Sequence, residues 1–257
     1  MRVFALVALC FASAAAVPHN PHRHVDGDIA SINQYPSLVS LLYAYEWSVF
    51  VQECAGVIIN RRSILTAAHC PYYDAVPKWR FRVGSSLPSS GGQVHAVNGI
   101  LIHPSYRPNA LDFDVAVLRS ATEIQFNEFV QISYIPSARY VVPDNDPLWV
   151  AGWGANSFGA LTGSEQLRHI QVQKLNDIAC KNRYALRNIP ITANMVCSGW
   201  VSGGRDQCQG VSGGPLYHRH NTVVGVWSFG FECSSASDFP SVSANVPRLS
   251  NWILSNA

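Results

Sequence analysis

From residue 37 onward the chain alternates short apolar stretches with clusters of Gly, Pro, Ser and Asn. The stretches 37–43, 55–60, 80–83, 115–119, 148–153, 169–175, 222–227 and 241–246 have the length and the β-branched and aromatic content of strands. Turn-forming residues fill the intervals, for example at 87–92 and 156–163. Many short strands without helical patterns between them indicate an all-β sandwich or barrel. Two segments break the rule. One is capped by Asn176 and continues through Tyr184. The other is C-terminal and places Leu249, Trp252 and Ile253 on one helical face. No internal repeat is present, and a β-rich chain of this length is expected to form two barrels that meet near residues 120–145.

Composition narrows the class. The chain has 257 residues, 48% of them hydrophobic and 13% charged, which permits a large core and excludes disorder. The formal net charge is +2. Removing Arg2 and Arg23, both outside the expected mature chain of residues 24–257, leaves 16 basic against 16 acidic groups. A balanced chain has no electrostatic footprint for nucleic acid. Residues 1–16 read as a signal peptide: Arg2, an apolar run from Val3 to Phe11, then the small-residue site Ala14-Ala15-Ala16. No later stretch reaches the roughly 20 apolar residues that span a bilayer. The expectation is a secreted protein with no membrane association.

Secretion changes how the cysteines read. Cys10 lies in the leader, and Cys54, Cys70, Cys180, Cys197, Cys208 and Cys233 remain. An even set in an oxidising compartment points to three disulfides, with 15 connectivities open to six cysteines. Their spacing does not match a zinc site. His19, His22 and His24 cluster, but Pro18 lacks the backbone N–H that an N-terminal copper site uses; His218 and His220 flank Arg219 and read as solvated. No metal or cofactor is expected. No N-glycosylation sequon occurs. Of the 18 basic residues only Lys78, Lys174 and Lys181 are lysines, and arginine keeps its charge in alkaline surroundings where lysine loses it.

Three motifs carry chemistry: Leu65-Thr-Ala-Ala-His69-Cys70, Asp112-Phe-Asp114-Val-Ala-Val-Leu118, and Gly203-Gly-Arg-Asp206-Gln-Cys208-Gln-Gly210-Val211-Ser212-Gly-Gly-Pro215. Each is ambiguous alone. Their order, His then Asp then Ser, in a secreted six-cysteine β chain is specific. Here the chain resembles the chymotrypsin-like serine proteases from about residue 24 to its end. It is most similar to the digestive midgut trypsins of caterpillars, through Ser164-Glu-Gln-Leu-Arg168, Ile191-Thr-Ala-Asn-Met195, Cys197-Ser-Gly-Trp200 and the last six residues.

The resemblance implies two packed six-stranded antiparallel barrels with a C-terminal helix. It implies Ser212 as nucleophile, His69 as general base, Asp114 as the group that holds the imidazole, and the N–H groups of Gly210 and Ser212 as an oxyanion hole. It pairs Cys54 with Cys70, Cys180 with Cys197 and Cys208 with Cys233. Asp206 matches the acidic floor of a pocket for Arg or Lys. Ser228 and Gly230 match its wall, and Ser241 stands where the family's trypsins carry glycine. The implied partners are polypeptide substrates and protein protease inhibitors, the implied state a monomer in the gut lumen.

The resemblance further implies a propeptide, residues 17–23, cut after Arg23, so that residues 24–257 form the protease. Here the chain departs from the pattern. The new N-terminus would be His24-Val25-Asp26-Gly27 rather than Ile-Val-Gly-Gly, and Val211 replaces the aspartate that usually pairs with it. The expectations are therefore a digestive serine endopeptidase with impaired activity or, from another class, a catalytically weak homologue that acts by binding.

Overall fold

The computed structural model of the chain describes residues 27–154, 163–199, 212–219, 221–230 and 239–257. Six strands, β2 (Leu38–Ala44), β3 (Phe50–Asn60), β4 (Ser63–Thr66), β5 (Trp79–Val83), β6 (Gln93–Ile102) and β7 (Ala116–Ser120), close into one antiparallel barrel. Around the barrel their order is β2-β3-β4-β7-β6-β5. A second barrel is built from β8 (Pro147–Gly152), β9 (Arg168–Lys174), β10 (Met195–Gly199), β11 (Pro215–His218), β12 (Thr222–Phe229) and β13 (Ser241–Asn245). Its order is β8-β9-β10-β13-β12-β11, closed because β11 pairs with β8. A two-residue strand, β1 (Asp28–Ile29), adds to the outside of β9. Closure leaves neither six-stranded sheet an open edge.

The two expected helices form. In α1 (Asp177–Ala185) the Asn176 side chain accepts hydrogen bonds from the N–H groups of Ile178 and Ala179, satisfying two donors that a helix start leaves orphaned. In α2 (Val246–Ser255) Asn245 caps the start, Pro247 occupies the first turn, and Leu249 and Ile253 are buried. The link between the barrels, residues 121–146, is largely irregular, where the apolar pattern placed it.

The main core cluster fills the first barrel and continues across the junction into the second, joining Leu38, Ile58, Phe81 and Leu118 to Tyr217, Val226 and Val246. Polar contacts cross there too. Ser37 Oγ lies 3.0 Å from Tyr217 Oη and donates to Asn221 Oδ1 at 2.8 Å. Cys54–Cys70 and Cys180–Cys197 are disulfide-bonded, as the resemblance implied. Cys208 and Cys233 lie outside the described residues, as do residues 1–26.

His218 corrects its sequence reading. It is buried rather than solvated, with Nδ1 2.8 Å from Tyr140 Oη and Nε2 3.3 Å from Asp146 Oδ2. The cause is position: His218 ends β11, where the segment linking the barrels lies against it. His220 lies outside the described residues.

Titration follows from burial. Burial holds the pKa values of His95, His103, His169 and His218 below the ordinary imidazole value. In His103 and His218 nearby carboxylates, Asp112 and Asp146, oppose that shift without reversing it. A histidine whose folded pKa is lowered contributes stability that is present above about pH 6.5 and is lost as pH falls through the folded value. Burial also pushes the Tyr35 phenol up to about 12 and raises those of Tyr106 and Tyr217. A raised phenol has the opposite sign: its contribution is present below about pH 10 and is lost as pH climbs through the folded value. The melting temperature should therefore be highest between about pH 7 and pH 10 and decline on both sides. Calorimetry across about pH 4–12 checks this, and a maximum near pH 5 would contradict it.

Candidate active site

The site grows from the ladder between β4 and β7. Its last pair is Thr66 with Ala116, and the strands are antiparallel, so the chain leaving β4 stays beside the chain entering β7. His69 follows on one side and Asp114 precedes on the other, and the two meet. The His69 ring nitrogen Nδ1 lies 2.7 Å from Asp114 Oδ2, and the His69 backbone N–H donates to Oδ1 at 2.8 Å. An ionised carboxylate can only accept, so Nδ1 carries the proton and, in the neutral ring, Nε2 is left to accept one.

Asp114 is 0% exposed. A carboxylate buried that deeply needs donors on several sides, and the third comes from the other barrel. Ser228 Oγ donates to Asp114 Oδ2 at 2.5 Å. The pairing of β12 with β13 shifts register between Trp227 and Phe229, which makes Ser228 the extra residue of a bulge. Bulges re-aim side chains, and this one turns the hydroxyl toward the carboxylate. The sequence reading assigned Ser228 to a pocket wall and missed this contact, because a bulge depends on the partner strand.

Ser212 lies where the barrels meet. Its carbonyl accepts from the Ala55 N–H of β3 at 2.8 Å, and the next N–H, of Gly213, donates to Trp227 O at 3.0 Å. One short turn is thus pinned to both barrels. Among the described residues no hydrogen bond joins Ser212 Oγ to the His69 ring; Nε2 has Cys70 Sγ at 3.8 Å. Catalytic hydrogen bonds are commonly loose until substrate is bound. The Cys54–Cys70 bridge fastens the residue after His69 to β3, beside Ala55.

On the pocket side, Ser228 and Ser241 are buried, and a Cβ placed on Gly230 would lie 3.3 Å from Ser241 Oγ. The Ser241 hydroxyl therefore adjoins the wall that the sequence assigned to Gly230. Asp206, Gly210 and Val211 lie outside the described residues. Tyr106 stands near the carboxylate: burial, with the Asp114 charge adding, raises its phenol. Among the described residues Cys54, His69 and Cys70 form the one cluster compact enough to surround a metal ion. Its two sulfurs are joined to each other and offer no thiolate.

Two closed antiparallel barrels with a histidine–aspartate pair at their junction define the class of two-barrel serine hydrolases. The family described as Trypsin matches residues 24–253, and the chain belongs to it. The chain is 51% identical to "Trypsin, alkaline B" of Manduca sexta and 50% identical to "Trypsin CFT-1" of Choristoneura fumiferana, over the whole of both chains in each case. It is 44% identical to "Achelase-1" of Lonomia achelous over 91% of its own length and all of that protein. It is a trypsin-like serine endopeptidase, and its substrates are polypeptides.

Gly213 gives a direct test of the junction. Its φ is +74°, and a Cβ there would sit 2.1 Å from Thr66 Oγ1 and 2.6 Å from Ala55 O. Gly213→Ala should push the turn off the first barrel and lower kcat/KM by about a hundredfold, the scale of an ångström-size misplacement. Adding Thr66→Ala should not restore it, because the backbone oxygen of Ala55 remains. Steady-state kinetics on the single and the double variant measures this, and full recovery in the double variant would show that the hydroxyl alone sets the constraint.

Proposed function

We propose that the chain is a secreted digestive endopeptidase that hydrolyses peptide bonds after Arg or Lys through an acyl-enzyme on Ser212. The observation that carries the reading is the Asp114–His69 pair, with the carboxylate fully buried and the imidazole held in the tautomer that leaves Nε2 free. Ser212 Oγ attacks the scissile carbonyl while His69 Nε2 takes its proton. Asp114 stabilises the imidazolium, which then protonates the leaving amine. Water attacks the ester by the same route in reverse. The N–H groups of Gly210 and Ser212 hold the oxyanion, and losing one such donor costs about 10²–10³ in rate.

The sequence supports the finer assignments. Asp206 floors the pocket, and a carboxylate in that position selects a cationic side chain. Ser241 narrows the pocket near its base. Residues 1–16 direct secretion, residues 17–23 are removed by a cut after Arg23, and the mature enzyme works as a monomer that protein inhibitors can block. The preference for arginine over lysine and the raised tyrosines favour an alkaline gut lumen, and relatives named alkaline trypsins agree with that setting. Peptides that differ only at the scissile residue test the specificity. Arg should be cleaved at least about a hundredfold faster than Phe, as expected when a site's carboxylate is left unpaired by an apolar side chain. Preference for Phe would remove Asp206 from the pocket.

A second reading, a catalytically weak homologue that binds inhibitors or substrates, is favoured by one observation: His24 and Val211 replace both partners of the family's activation pair. An amine opposite valine would be an unpaired buried charge. If the missing pair limits activity, His24→Ile with Val211→Asp, cleaved after Arg23, should raise amidase activity by about ten- to a thousandfold. The gain should exceed the product of the single effects. Val211→Asp alone should lower activity, and Arg23→Gln should abolish the gain. Equal activity in the wild type and the double variant would show that other contacts already hold the oxyanion hole open.

A further inference from the structure

Asp112 is a buried carboxylate that the proposed reaction does not use. It is 5% exposed and lies two residues before Asp114. Its Oδ1 collects three donors: Thr192 Oγ1 at 2.7 Å, Asn194 Nδ2 at 3.0 Å and the N–H of Phe113 at 3.1 Å. Thr192 and Asn194 belong to the segment that leads into β10, so these bonds cross from the first barrel to the second.

That segment is itself held firmly. Thr192 Oγ1 accepts from the Asn194 N–H at 3.2 Å, and Asn194 Oδ1 accepts from Arg248 Nε at 3.1 Å. The N–H of Asn245, the cap of α2, donates to Asn194 O at 2.7 Å. The chain that carries Asp112 is the opposite: its backbone is strained. Leu111 and Phe113 flank the aspartate with φ of +48° and +55°. Non-glycine residues stay in that region only where their surroundings over-determine them. The Phe113 ring stacks on His103 at 4.8 Å, and His103 lies 4.7 Å from Trp252 of α2. Two successive side chains before Asp114 are therefore anchored, one on a hydrogen-bonded segment of the second barrel and one through an aromatic stack that ends on α2.

We propose that Asp112 is a positioning residue: by tying the chain before Asp114 to Thr192 and Asn194, it sets the placement of the Asp114–His69 pair relative to Ser212 and Ser228 across the junction. The inference rests on the roles given above to His69, Asp114 and Ser212. Asp114 makes its own contacts to both barrels, but they are side-chain contacts. Asp112 fixes the backbone from which that side chain projects, and it does so against the barrel that carries the nucleophile.

The test uses the full chain after activation, with active sites counted by a serine-directed organophosphorus probe so that rates refer to folded sites. Asp112→Ala should lower kcat toward an arginyl amide substrate by about ten- to a hundredfold, with KM within about threefold. Asp112→Asn keeps an oxygen that accepts from Thr192 and Asn194, and should recover kcat to within about threefold of the wild type. Thr192→Val removes one donor and should lower kcat by a smaller factor; it carries the test if Asp112→Ala does not fold. Asp112→Ala combined with Asn194→Ala should be no slower than Asp112→Ala alone. A lowered melting temperature with unchanged kcat in Asp112→Ala and Thr192→Val would overturn the proposal, as would an asparagine variant as slow as the alanine one. Ser212→Ala is the separate control: if it still cleaved, the underlying assignment would fall, whereas a change in kcat in the Asp112 variants bears on Asp112.

Discussion

The charge on Asp114 has no access to water, and much of the junction is arranged to compensate for that. An uncompensated carboxylate in such a place costs several kcal/mol, more than a typical protein can spare from its net stability. Three hydrogen bonds offset the cost, two from His69 and one from Ser228. They come from parts of the chain far apart in sequence, so the carboxylate is satisfied only when both barrels are closed and docked. Stability and chemistry share the same atoms: the contacts that make the buried charge tolerable also fix the orientation of the imidazole.

Among the described residues, covalent bonds do little to hold the junction. Among the described residues each disulfide stays within one barrel. The docking rests on a continuous apolar cluster, on Ser37 with Tyr217 and Asn221, on Tyr35 with His169, and on the network around Asp112. These contacts are spread around the site rather than stacked at one edge.

The titration pattern favours the folded chain in neutral to alkaline solution. Four of the five histidines in the described residues sit where burial favours the neutral ring, and buried tyrosines keep their protons well past the ordinary phenol value. The arginine-rich surface keeps its charge over the same range. Core and surface both suit neutral to alkaline solution, by independent mechanisms.

Short β-branched and aromatic runs between turn residues made most strands legible in the sequence, because residue type and Gly or Pro punctuation are local signals. Asn176 caps α1 within three residues, and Leu249, Trp252 and Ile253 recur at helical spacing in α2, so both helices could be placed from local signals. The strands β1, β4, β6, β10 and β11 were not anticipated. β4 runs into the histidine motif, β6 is interrupted at Asn98 by a bulge, and β10 and β11 are only five and four residues long. His69, Asp114 and Ser212 were legible as a resemblance in motif and order, and the tertiary structure brought His69 onto Asp114. What only the folded chain could decide is who satisfies each buried polar group. The aim of the Ser228 hydroxyl depends on a register slip against β13, and the partners of Asp112 lie 80 and 82 residues away. A side chain's chemistry is written in its residue type, but its partner is set by strand register and barrel docking, which are properties of the whole chain.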